Sequence, residues 1–128
     1  MQDPDLILDI EVLRKLEAIM PQERVMMLAG SFLRGLVARA GRIAALVEGG
    51  NLHGLGREAH DLKSTSGSFG ARRLQYLGGQ LETACRDCDL DSVRRHAAAA
   101  AAALPDTLAA VLRHYPEVQI TSEADDLE

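Results

Sequence analysis

Apolar residues recur at helical spacing along most of the chain, and no stretch alternates at the two-residue period of a strand. Leu6, Ile10, Leu13 and Leu16 predict a first helix over 4–19, with Asp3 as its cap and Pro4 at its first position. Pro21 opens a second helix to about Glu48, with Val25, Leu28, Phe32, Leu36, Ile43 and Leu46 on a broad stripe, and Gly49-Gly50 ends it. Asn51 caps a third from about Leu52 to Ser68. Gly70 breaks the chain before a fourth, Ala71 to Arg86, carried by Leu74, Leu77 and Leu81. Asp89 or Asp91 caps a fifth segment from near Leu90 to about His114. Pro105 is expected to kink or split it, because proline brings no N–H and disfavours helix in the residue before it. The alanine run 97–103 favours helix and close packing.

Long helices joined by short Gly- or Asp-containing turns describe an all-α, antiparallel up-and-down four-helix bundle with an additional short N-terminal helix. The bundle is expected to occupy 1–116, and 117–128 to form a flexible acidic tail.

Composition sharpens this picture. A chain of 128 residues favours one domain, and 47% hydrophobic with only 3% aromatic residues means a core of Leu, Val, Ile, Met and Ala. The net charge is −5 and the cations are scattered, so the concentrated basic surface of a nucleic-acid binder is missing. No apolar run approaches the ~20 residues that span a bilayer, and MQDPDLILDI lacks a secretory n-region, so no membrane association and a cytoplasmic location are expected. Cys85 and Cys88 form a single CxxC near a predicted helix end. Without a second ligand pair at zinc spacing they read as ordinary thiols. The chain holds no E-x-x-H for a metal in a bundle core, and no metal site is expected.

The chemistry concentrates in residues 59–74, AHDLKSTSGSFGARRL. On a wheel advancing about 100° per residue, Leu55, Leu62 and Phe69 lie roughly opposite His60. The imidazole therefore points away from the core, from the middle of a helix. Gly56, Gly67 and Ser64 fall on its side, with His53 one heptad earlier and the cations Lys63 and Arg57 on its shoulders. Gly costs roughly 1 kcal/mol relative to Ala in a helix interior, and the small residues offset that cost by leaving room for another macromolecule to reach the ring. A neutral imidazole is a good nucleophile and can form a phosphoramidate through one ring nitrogen. Lys63 can neutralise phosphoryl oxygens and Ser64 can donate a hydrogen bond to them. No P-loop, kinase-type Gly-rich loop or carboxylate cluster suited to Mg²⁺ is present. The chain can carry a phosphoryl group but has no visible apparatus for taking one from ATP. The partner has to bring the metal and the second acceptor.

This segment resembles the signature of the histidine-containing phosphotransfer domains of bacterial multistep phosphorelays, roughly A-H-x-L-K-[GS]-[ST]-[SA]-x-x-x-G-A-x-x-L followed by Leu-Glu or Leu-Gln. Ala59, His60, Leu62, Lys63, Gly70, Ala71, Leu74 and the Leu81-Glu82 pair match, and the likeness extends over roughly residues 5–115. Ser64 departs mildly, where many members carry Gly. The resemblance implies a phosphocarrier rather than an enzyme: His60 accepts phosphoryl from a receiver-domain aspartate and passes it to another receiver. Lys63 is its charge partner, and Glu82 contacts the imidazole from the next helix, fixing the tautomer. The alternative for Glu82 is an i,i+4 pair with Arg86. Expected partners are response-regulator receivers and a hybrid sensor kinase. No cofactor belongs to the chain itself, Mg²⁺ residing in the receiver, and the bundle is expected to be a monomer. The docking surface is expected to join His53, Gly56, Arg57 and Gly67 to exposed apolar positions such as Ile7 and Ile10. His53 is otherwise plain surface or, less plausibly, a second phosphorylation site. The rival reading is a non-catalytic helical adaptor or kinase-inhibitor module.

Overall fold

The computed structural model describes residue 3, residues 5–118 and residue 120. Five helices follow in order: α1 Ile10–Ile19, α2 Gln22–Glu48, α3 Leu52–Ser68, α4 Arg72–Arg86 and α5 Leu90–His114. No strand occurs among the described residues. Helices α2 to α5 close into a ring in which α3 packs on α2 and α4, and α5 on α4 and α2, while α1 lies against α2. This is the four-helix bundle with a short N-terminal helix that the periodicity predicts. Its interior is aliphatic: Leu13, Leu33, Leu55, Leu62, Leu74 and Leu81 are fully buried. Phe32 of α2 stacks on Phe69 at 4.7 Å between ring centroids, closing the core beside the α3–α4 turn.

Local chemistry explains the helix ends. Asn51 accepts from the Gly54 N–H and Asp89 from the Ser92 N–H, so both side chains satisfy N-terminal amides. Pro21 is itself the N-cap residue of α2 rather than its first helical residue, and Gly50 follows the C-cap with φ +67°.

The first helix departs from expectation. It begins at Ile10, capped by the Asp9 carboxylate on the Glu11 N–H, and the predicted Asp3 cap instead accepts from the Asp5 N–H. Residues 5–9 are drawn away from helix because they pair with the α3–α4 turn. Asp9 N–H donates to the Gly70 carbonyl at 2.7 Å, and Arg73 N–H to the Leu6 carbonyl at 2.9 Å. Gly70 has φ +79°, and a Cβ there would lie 2.9 Å from the Asp9 carbonyl oxygen. It serves both the turn and this close approach. Pro4 lies outside the described residues.

Pro105 does not split α5, which runs unbroken through it. Pro105 and Ala101, whose carbonyl loses its helical donor, both face solvent, so water can take that carbonyl. On the inner side Thr107 donates to the Ala103 carbonyl at 2.8 Å. In the alanine run, Ala97, Ala100 and Ala103 are buried and let α5 sit close to its neighbours. Packing continues past the helix end: Tyr115 and Val118 are buried, and the Tyr115 hydroxyl donates to Glu17 of α1. Of the tail expected over 117–128, residues 119 and 121–128 lie outside the described residues.

Candidate functional site

Leu55, Ala59 and Leu62 fill the inner face of α3, and that fixes His60 on the outer face with 57% of its side chain exposed. What the wheel cannot supply is the neighbour. Helix α4 runs so close to α3 here that a Cβ on Gly78 would meet the Lys63 backbone nitrogen at 2.9 Å and the Ala59 carbonyl oxygen at 3.1 Å. Those are backbone atoms that cannot yield, so glycine is required for this approach. One helical turn beyond Gly78, Glu82 then reaches both functional side chains.

His60 Nδ1 lies 2.9 Å from Glu82 Oε2, and Lys63 Nζ donates to Glu82 Oε1 at 2.7 Å. The Lys63 ammonium does most to hold the Glu82 carboxyl below its ordinary value; partial burial opposes it and the bond to His60 adds to it. Glu82 is thus an ionised acceptor at neutral pH. A carboxylate cannot donate, so Nδ1 carries a proton in this pair, and in the neutral ring Nε2 keeps its lone pair. Among the described residues nothing hydrogen-bonds Nε2. The i,i+4 alternative is not formed: the Arg86 Nε sits 4.0 Å from Asp87 instead.

His60 and Glu82 share a shallow depression of about 580 Å³ with His53, Gly56, Arg57 and Arg86. Arg57 makes no ion pair among the described residues. Three sequence-based placements need correction. Gly67 is not open ground, because the Gln75 side chain lies over it and a Cβ would meet the Gln75 Nε2 at 2.8 Å. Ser64, one turn past His60, lines the groove toward α2 with Phe32 and Thr65 rather than the depression. Ile7 and Ile10 are half-buried, Ile10 against the core, and the exposed apolar residue of that segment is Leu6. The pairing of residues 5–9 with the α3–α4 turn sets them there, at the far end of α3 from His53.

Sequence reasoning also missed Gly78. The signal was available: a Gly-Gly pair in mid-helix, where either residue costs roughly 1 kcal/mol against Ala, asks for a close neighbour. No metal-binding group of three or more His, Cys, Asp or Glu side chains occurs among the described residues, and no helix there is long and apolar enough to cross a membrane.

The site thus joins an exposed imidazole and an ammonium through one carboxylate. No curated protein and no solved structure matches the chain. The model of the Hpt domain family matches residues 27–114, which run from within α2 to the end of α5. Its members act in phosphorelays as carriers rather than autokinases, in contact with response-regulator receivers and kinases. The chain belongs to the Hpt domain family, the histidine phosphotransfer domains of two-component phosphorelays.

Proposed function

We propose that His60 is the phosphoryl-accepting residue and that it takes the group from a receiver-domain aspartyl phosphate and returns it to the aspartate of another receiver. The observation that carries this reading is the 2.9 Å contact between Nδ1 and Glu82, which leaves Nε2 as the nucleophile on an exposed ring. In the forward step the Nε2 lone pair forms the N–P bond while the P–O bond to the aspartate breaks, and the aspartate leaves as a carboxylate. Nδ1 keeps its proton throughout and donates it to Glu82, so no proton has to leave the ring. Lys63, 40% exposed and bonded to the same carboxylate as the ring, supplies a cation for the phosphoryl oxygens. The receiver contributes Mg²⁺, which neutralises charge on the group in transit.

The docking surface in this reading is the depression around His60, with Gly56 giving access and Arg57 and His53 facing the acidic pocket of the receiver. Ser64 plays at most a peripheral part, since it borders the neighbouring groove. The bundle works as a monomer in the cytoplasm, where its partners' receiver domains lie.

Incubation with a receiver phosphorylated by acetyl phosphate should label the protein on a histidine, and His60→Gln should take the label to background. Equal labelling of both proteins would overturn the assignment and leave the bundle as an adaptor.

A further inference from the structure

The end of α4 brings two thiols to the site. Cys85 and Cys88 both line the depression that holds His60, and neither is in a disulfide. Cys85 is buried in the last turn of α4, three residues beyond Glu82. A Cβ on Gly56, one turn before His60, would come within 3.4 Å of the Cys85 Cβ, so Cys85 packs directly on the turn of α3 beneath the imidazole. Cys88 is exposed, and it is the one non-glycine residue with positive φ, 54°, among the described residues. Its N–H donates to the Cys85 carbonyl at 3.2 Å and closes a four-residue turn. Such a turn keeps its end Cα atoms within about 7 Å, and a disulfide spans about 4.4–6.8 Å between Cα atoms. The Cα atoms of the two cysteines are therefore in bridging range. Burial pushes the Cys85 thiol up, and the neighbouring Cys88 adds to it. Cys85 therefore rests protonated, and the exposed Cys88 is the sulfur an oxidant meets first.

We infer that Cys85 and Cys88 form a reversible dithiol switch, whose closure to an intramolecular disulfide reshapes the wall of the depression and slows phosphoryl acceptance at His60. The inference rests on the role given to His60 above. The oxidant is a disulfide such as oxidised glutathione. The Cys88 thiolate attacks one of its sulfurs, forming a mixed disulfide and releasing one glutathione thiolate, which takes up the proton Cys88 gave up. The deprotonated Cys85 then attacks the Cys88 sulfur, forming the Cys85–Cys88 bond and releasing the second glutathione, which is protonated in turn. The protein loses two protons and two electrons, and the two glutathiones gain them. A reducing thiol pool reverses the change, as for other transient disulfides of reducing compartments. Because Cys85 packs beside Gly56, turning its side chain toward Cys88 disturbs the surface a receiver must cover.

The test compares the full chain reduced with dithiothreitol and oxidised with glutathione disulfide, by intact mass, thiol titration and acceptance from a phosphorylated receiver. The oxidised protein should be lighter by two hydrogens, show no free thiol and accept phosphoryl roughly threefold to tenfold more slowly, since small misplacements at a reacting site carry such costs. Dithiothreitol should restore it. Cys88→Ser should form no internal disulfide and give one rate under both treatments. Two free thiols after oxidation, a glutathione adduct that never closes, a covalent dimer, or equal rates for oxidised and reduced wild type would each overturn the switch. Failure of the reduced protein to accept phosphoryl would remove the role given to His60 and the gating with it, while the mass would still decide the disulfide.

Discussion

His53 and His60 stand one heptad apart on the outer face of α3, both exposed and both bordering the same depression. Their surroundings differ in one respect. Opposite His60 the fourth helix comes within backbone contact at Gly78 and lays a carboxylate against the ring. At His53, in the first turn of α3, no hydrogen bond holds the ring among the described residues. Exposure alone costs a helix almost nothing and specifies nothing. A fixed tautomer requires a second helix held at a defined distance, and that distance is set by a residue with no side chain.

The contrast can be broken most severely at His60 itself. Replacing it with Gln should abolish acceptance even though His53 remains in the same depression. Residual labelling carried by His53 would mean that the facing carboxylate is dispensable. The next largest effect belongs to Gly78→Ala. Helix propensity alone favours the alanine by roughly 1 kcal/mol, but overpacking against immovable backbone costs about 1–3 kcal/mol. The variant should therefore be less stable than wild type in urea unfolding, and it should accept phosphoryl about tenfold more slowly because Glu82 is carried away from the ring. A stabilised Gly78→Ala with normal transfer would show that the close approach is not needed.

Glu82→Gln sharpens the same point with a smaller change. The amide oxygen can still accept from Nδ1–H but carries no charge, so transfer should slow by roughly tenfold or less. Its effect on stability depends on pH with a definite sign. A carboxyl whose pKa is depressed on folding contributes stability that is present above its unfolded value, near 4.5, and lost as pH falls through the lower folded value. The stability gap between wild type and Glu82→Gln, read by denaturant unfolding, should begin to close as pH falls below the unfolded value near 4.5 and vanish below the folded one. A gap unchanged into acid would mean that the Lys63–Glu82–His60 arrangement contributes no net charge interaction.

Much of this was legible in the sequence because it rests on local rules. The ends of α3 follow from Asn51 and Gly70 and the outward direction of His60 from Leu55, Leu62 and Phe69, whereas the place of Glu82 comes only from the resemblance of the Leu81-Glu82 pair to the family signature. What periodicity misses is anything set by a non-local backbone partner. Leu6 carries helical spacing, yet its carbonyl is claimed by the Arg73 N–H, so α1 starts only at Ile10. Gly67 has the right angle to flank His60, but Gln75 from α4 covers it. A single-helix wheel also cannot show that Ser64 borders α2 while His60 borders α4. That α5 continues through Pro105 has a related reason: the cost of the proline depends on whether the orphaned carbonyl lies in core or near water, and here Ala101 and Pro105 are both exposed.

The smallest predicted effect separates the two histidines from the other side. His53 borders the depression, so a docked receiver would touch it, but among the described residues no hydrogen bond or carboxylate positions its ring. A rim contact of that kind is worth a few tenths of a kcal/mol to about 1 kcal/mol. His53→Gln should therefore leave the maximal transfer rate unchanged and raise the receiver concentration for half-maximal transfer by no more than about fivefold. Salt should erase even that difference if it is electrostatic, because exposed charges lose most of their reach at 1 M ionic strength, where the screening length is about 3 Å. A fall in the maximal rate, persisting in high salt, would place His53 in the transfer step and dissolve the distinction between a ring that is merely exposed and one that is held.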